Sequence, residues 1–164
     1  MNRVPFGPSP IDPRRTTTFL DSCAFDPKYE PETTAANLML SLYQEEKVVL
    51  LIAHSVESEI EHPNTPQAVK GLANDMNRTR LVGLTNLERE RLQDIKSAFI
   101  GSGRPEKYEA DAQHIFEAGK WAAYFVTTDE RILKRRDVLE TLSRAKILRP
   151  TEWVAIYHVS ALAP

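Results

Sequence analysis

The chain has 164 residues, 41% hydrophobic and 27% charged, with a formal net charge of −2 and a pI of about 6.1. That size and balance predict one globular domain with a real core, and they exclude a broad basic surface that would draw in nucleic acid or anionic membrane, so a nucleic-acid ligand would need a local basic patch. The single cysteine, Cys23, excludes an intrachain disulfide and fits a reducing compartment, with the cytoplasm as the expected location.

Residues 1–15, MNRVPFGPSPIDPRR, carry Pro5, Pro8, Pro10 and Pro13 without an apolar core segment, and read as an extended arm rather than a signal peptide. Residues 16–164 are expected to form the single domain. Thr16–Leu20 (TTTFL) favours a strand, since β-branched and aromatic side chains suit a pleated surface. After the punctuation of Pro27–Pro31, Thr33–Glu46 places Ala35, Leu38, Met39 and Leu42 on one helical face. Val48–Ala53 (VVLLIA) does not alternate and reads as a strand buried on both faces. It is far shorter than the ~20 apolar residues that span a bilayer, so no membrane segment is expected.

SVESEIEH is expected to form a short helix ended by Pro63, with Glu59 sharing the side of Val56 and Ile60. Thr65-Pro66 signals a helix start. Thr85-x-x-Glu88 is a capping box opening a helix to about Phe99, with Leu92, Ile95 and Phe99 inward. The whole section 65–100 shows no strand pattern. Gly101-Ser-Gly103 breaks the chain, and Pro105 restarts a helix to about Trp121 with Tyr108, Ala112, Ile115 and Gly119 on its apolar face. Asp111 lies on that same face. Ala123–Thr127 is a third buried strand and Lys146–Leu148 a weak fourth. Short helical turns at Asp129–Leu133 and Asp137–Arg144 and a last helix, Glu152–Ser160, complete the chain. Trp121, Trp153 and the tyrosines are expected to be mostly core. Alternating strands and helices predict a three-layer α/β/α, Rossmann-like fold around a central parallel sheet.

Asp21, Glu59 and Asp129 each follow a buried strand, and Asp111 precedes the third on a buried helix face. Parallel strands end along one edge, where open α/β sheets bind ligands. Four carboxylates brought together there raise each other's pKa unless a cation compensates them. Oxygen donors of this kind suit Mg²⁺ or Mn²⁺, and no Cys/His spacing argues for zinc. Each acid also has a plain structural alternative: a helix cap or turn for Asp21 and Asp129, a solvated face for Glu59, a buried ion pair with an arginine for Asp111. The basic run Arg131, Lys134, Arg135, Arg136 is either a solvated face or a contact for nucleic acid. The histidines read as structural or surface residues, and Cys23 as packing, because neighbouring acid raises a thiol pKa.

The order and strand contexts of Asp21, Glu59-Ile60 after VVLLIAHSV, Asp111-Ala112 with His114-Ile115, and Asp129 in FVTTDERIL resemble the four-acid pattern of PIN-domain nucleases, over about Thr16–Leu148. The resemblance implies a Mg²⁺/Mn²⁺-dependent endoribonuclease, in many members a toxin of the VapC type held by a partner antitoxin. It implies Asp21, Glu59, Asp111 and Asp129 as metal-site acids, with Ser22 and Thr127 supporting them. Rim cations, first of all Arg131, Lys134 and Arg135, would hold the RNA backbone. The chain departs from the pattern at Cys23, where members often carry Asn, and it is longer than a minimal toxin. The amphipathic segments leave a homodimer open. The main rival is a non-catalytic PIN-like scaffold binding RNA or protein; a DNA-directed nuclease is another. A haloacid phosphatase is excluded because Asp21 is followed by Ser22-Cys23 rather than by x-Asp.

Overall fold

The computed structural model describes residues 10–25, 27–52, 63, 67, 70–71, 76–78, 83–101 and 104–163. Glu59 and the short helix expected around it lie outside these, as does most of the helix expected from Thr65-Pro66. The strands are β1 (Thr17–Leu20), β2 (Val49–Ile52), β3 (Asn77–Arg78), β4 (Tyr124–Val126) and β5 (Lys146–Leu148). The α-helices among the described residues are α1 (Ser22–Phe25), α2 (Glu32–Gln44), α3 (Asn86–Ala98), α4 (Pro105–Trp121), α5 (Glu130–Leu133), α6 (Arg136–Ser143) and α7 (Pro150–Leu162).

Among the described residues all strand pairings are parallel, and the strand order is β3-β2-β1-β4-β5. β1 is central, with Thr18 beside Leu50 on one flank and beside Tyr124 on the other. The expected fold class is the observed one. α2 packs on α7 as one layer, and α3, α4 and α6 pack together as the other. The order explains the layering. The chain moves outward from β1 to β2 in one direction and from β4 to β5 in the other, and right-handed crossovers then fall on opposite faces of the sheet. The reversal lies between the C-terminal ends of β1 and β4.

The core follows the apolar runs. Phe19, Leu50, Ile52, Phe125, Val126 and Ile147 are buried in the sheet, and Met39, Ile95, Phe99, Ile115 and Trp153 cover it from the helices. The Thr85/Glu88 capping box forms, with Glu88 N donating to Thr85 Oγ1 at 3.2 Å and Thr85 N to Glu88 Oε2 at 2.8 Å. Trp153 is fully buried and donates from Nε1 to Thr18 Oγ1 at 2.9 Å. Gly119 lets α4 approach α6 closely, since a Cβ there would stand 2.0 Å from the Ser143 carbonyl oxygen.

Four expectations are corrected. Section 65–100 does contain a strand, β3, paired with β2 at Leu51–Asn77 and Ile52–Arg78. Two polar residues carry no periodicity, so backbone pairing at a sheet edge leaves no sequence signal. Trp121 and Tyr29 are exposed rather than core, each at 45%; Trp121 ends α4 with Lys120 over its ring. α7 starts at Pro150, whose fixed φ suits the first helical position. The end of the N-terminal arm is a 3₁₀ turn, Pro13–Arg15, rather than extended chain. Asp12 accepts from Arg14 N at 3.0 Å, and Arg14 Nη2 donates to the Ser160 carbonyl at 2.8 Å, tying the turn to α7.

Candidate functional site

β1 delivers Asp21 to the point where the strand order reverses. Its backbone N still bonds the Val126 carbonyl at 3.0 Å, so the residue is fixed by the sheet although it lies past the strand. The side chain is buried at 4% exposure and fully engaged. Oδ1 accepts from Ser22 N at 2.9 Å and lies 3.5 Å from His114 Nδ1. Oδ2 accepts from Thr127 Oγ1 at 2.7 Å and from Cys23 Sγ at 3.3 Å. β4 delivers Thr127 and Asp129 from the adjacent strand. Thr127 Oγ1 also accepts from Asp129 N at 3.0 Å, so one hydroxyl couples the ends of both strands.

α4 supplies the third acid. Asp111 sits on its buried face, and His114, one turn later on the same face, reaches Asp21. Asp21, Asp111 and Asp129 together line a cleft of about 450 Å³, with Ser22 and Cys23 on its wall. Glu106 and Lys107, in the first turn of α4, line its mouth.

Arg131 joins two of the acids. Its Nη2 lies 2.8 Å from Asp111 Oδ2 and 2.7 Å from Asp129 Oδ2, and its Nε donates to Asp129 Oδ1 at 3.3 Å. Asp129 also N-caps α5 by accepting from Arg131 N at 2.8 Å. Both structural alternatives read from the sequence, a cap at Asp129 and an arginine pair at Asp111, are therefore present within the cleft.

The electrostatics differ from acid to acid. Burial alone would push Asp21 up; the hydrogen bond and charge of His114, then Thr127 and Cys23, outweigh it and hold the carboxyl below its ordinary range. Asp111 is pushed up to about 6, first by burial and then by the charge of Asp21, with Arg131 pulling the other way and Asp129 adding to the rise. Burial and then Asp21 push the Cys23 thiol up to about 12, which makes it a packing group rather than a nucleophile. Cys23 Sγ also accepts from Thr128 N at 3.4 Å, and Thr128 Oγ1 donates to the Cys23 carbonyl at 3.2 Å, so this residue ties α1 to the turn after β4.

The other expected site residues fall in different places. Arg135 donates to the Arg131 carbonyl at 3.1 Å, and Lys134 is exposed on the solvent side of the same turn. Arg136 is engaged with Glu152 at 2.8 Å. Sequence reasoning read His114 as a structural or surface residue and passed over Lys107 and Glu106. His114 lies at i+3 from Asp111 and Lys107 at i−4, so the periodicity that marked Asp111 also marked both. Glu106, one residue before Lys107, carried no such mark.

No protein-family model matches the chain, and no curated protein matches its sequence. The donor set itself suits a hard divalent cation: carboxylate oxygens from three elements share a cleft, and Asp111 is short of compensating charge. Among the described residues, no three His, Cys, Asp or Glu stand in ligating geometry as placed, and Arg131 holds two of the three acids. No helix among the described residues is long and apolar enough to cross a membrane.

Proposed function

We propose that the protein is a metal-dependent endoribonuclease of the PIN type, hydrolysing RNA phosphodiester bonds at the cleft between β1 and β4. One observation carries the reading. Asp21, Asp111 and Asp129, from three separate elements, line one cleft at the sheet's topological switch, and Asp111 is held there at a pKa of about 6 by burial and its acidic neighbours. In the reading, Mg²⁺ or Mn²⁺ is the cofactor and Glu59 completes the acid set. The location is the cytoplasm, and in a toxin setting the partner is an antitoxin.

Bound there, such an ion lowers the pKa of a coordinated water and offsets charge on an in-line phosphate. The protein supplies the rest. Thr127 and the Ser22 backbone N–H fix the Asp21 carboxylate through both oxygens, which holds its negative charge at the cleft wall. Thr127 sets Asp129 relative to Asp21 by bonding both. Asp111 exchanges its proton near pH 6, so the charge available to hold a cation falls as pH drops through that value. Lys107, exposed at the cleft mouth and without an ion pair among the described residues, is placed to meet a backbone phosphate.

The test is cleavage of a mixed single-stranded RNA panel with Mn²⁺, Mg²⁺ or EDTA, using wild type, Asp21→Asn and Asp129→Asn. Asn remains a good N-cap, so Asp129→Asn keeps α5 while removing the charge. Metal-dependent cleavage by wild type that vanishes in both variants is the expected result. Inactive wild type, or variants that cut equally well, would refute the reading; retained RNA binding without cleavage would point to a scaffold.

A further inference from the structure

Arg131 was expected on RNA, yet its guanidinium is spent on the acids. A single nitrogen, Nη2, bridges Oδ2 of Asp111 on α4 and Oδ2 of Asp129 after β4, at 2.8 and 2.7 Å. The side chain starts from a fixed place. Arg131 N bonds Asp129 Oδ1 at 2.8 Å, and the Arg131 carbonyl accepts from Arg135 Nη1 at 3.1 Å. The contact is sheltered, with the Arg131 side chain 27% exposed and that of Asp111 only 7%. It is also incomplete compensation, because one positive charge serves two carboxylates with Asp21 close behind them.

A small divalent ion shared between Asp111 and Asp129 would draw on the same two carboxylates that Nη2 now bridges. What sets the two cations against each other is charge: a guanidinium nitrogen and a divalent ion held between the same two carboxylates repel each other at a few ångströms. We propose that Arg131 is the resident counter-ion of the Asp111–Asp129 pair, and that a divalent cation entering the cleft must displace it. The inference rests on the metal-centre reading and deepens it by naming what sets the site's affinity.

Two consequences follow. Metal affinity is lower than the three carboxylates alone would give, because the ion first has to break charge-assisted hydrogen bonds. The displaced guanidinium is then free for a phosphate, for which its planar fork is suited. Metal and phosphodiester therefore favour each other's binding, by the same factor in both directions. This would make the cleft respond to its substrate and not to the cation alone.

The direct test is Mn²⁺ binding at about pH 7.5, read from the electron paramagnetic resonance of the free ion, on the full chain. Wild type is compared with Arg131→Gln, Arg131→Lys and Asp21→Asn. Gln keeps helix propensity and the backbone cap of α5 while removing the charge; Lys keeps the charge and loses the fork, so one variant remains informative if the other folds poorly. Arg131→Gln is expected to bind Mn²⁺ about tenfold more tightly than wild type, or about 1.4 kcal/mol, with Arg131→Lys in between. As a second readout, the Nε–H resonance of Arg131, assigned by its loss in Arg131→Gln, should move when Mg²⁺ is added to wild type. Binding to Arg131→Gln that is equal to or weaker than wild type, or an Nε–H resonance unmoved at saturating Mg²⁺, would overturn the inference. If wild type binds Mn²⁺, Asp21→Asn does not, and Arg131→Gln gains nothing, the counter-ion role alone falls. If neither wild type nor Arg131→Gln binds Mn²⁺, the metal-centre reading falls and the counter-ion role with it.

Discussion

Replacing Asp111 with Asn should stabilise the protein in the absence of metal, although it removes a negative charge paired with Arg131. The Asp111 carboxyl is pushed from its ordinary value of 3.8 up to about 6. In the unfolded chain the proton leaves near the lower value, and in the folded chain near the higher one. Between them the folded state holds the extra proton, so the contribution of Asp111 to stability falls as pH rises through that window and stays low above it. One pKa unit is worth about 1.36 kcal/mol, which puts the ceiling near 3 kcal/mol for a shift of roughly two units. Solvent relaxation around a cleft residue reduces this, and a gain of about 1–3 kcal/mol at pH 7.5 is expected. For a chain of this size that is a rise in Tm of roughly 3–10 °C. Asn keeps the shape and an acceptor for Arg131 but cannot ionise. The assay is urea unfolding in EDTA from about pH 4 to pH 8, reading the difference between variant and wild type. The gap should be near zero at about pH 4, grow toward about pH 6 and then level off. Adding Mn²⁺ should narrow it, because the ion stabilises only the ionised site. A variant that is less stable at neutral pH, or a gap that ignores pH, would refute the reasoning.

Gly119→Ala should destabilise by about 1–3 kcal/mol despite alanine's better helix propensity, because the new Cβ would stand 2.0 Å from a backbone oxygen of α6 and the helices must part; an unchanged or raised urea midpoint would show that the helix contact gives way freely. Cys23, with its thiol at about 12, holds a thiolate fraction on the order of 10⁻⁴ at pH 8. Alkylation of the native protein should therefore be slower by orders of magnitude than of the urea-unfolded chain, and equal rates measured by mass spectrometry would contradict the placement of this residue.

Much of the fold was legible where one residue type served one purpose. The apolar run Val49–Ile52 marked β2 correctly but not its burial on both faces, since Leu50 and Ile52 are buried while Val49 is 49% exposed and Leu51 half-buried; Thr85 and Glu88 carry their capping box in four letters. Asp21 and Asp129 stood out because a carboxylate just past a buried strand needs a reason. Asp111 stood out because it interrupts an apolar helical stripe, while its neighbour His114 was read as structural because a histidine on such a stripe looks like core. Arg131 could not be placed. Its partners lie 20 residues away on α4 and 2 residues back at the N-cap of α5, and nothing local says that one guanidinium bridges them. β3 was hidden for the opposite reason. An edge pairing of Asn77 and Arg78 is made by backbone atoms, which every residue carries alike.

The bond from Thr127 to Asp21 spans 106 residues of sequence. A cleft closed by so distant a pairing has consequences in time as well as in space, because loop-closure entropy must be met before the contact can repay it. A chain growing on the ribosome exposes β1 early and has no acid cleft until β4 has emerged and docked beside it. Until then Asp21 is an ordinary solvated carboxylate and Cys23 an ordinary reactive thiol. The disappearance of Cys23 reactivity thus serves as a clock for the long-range step of folding that creates the site.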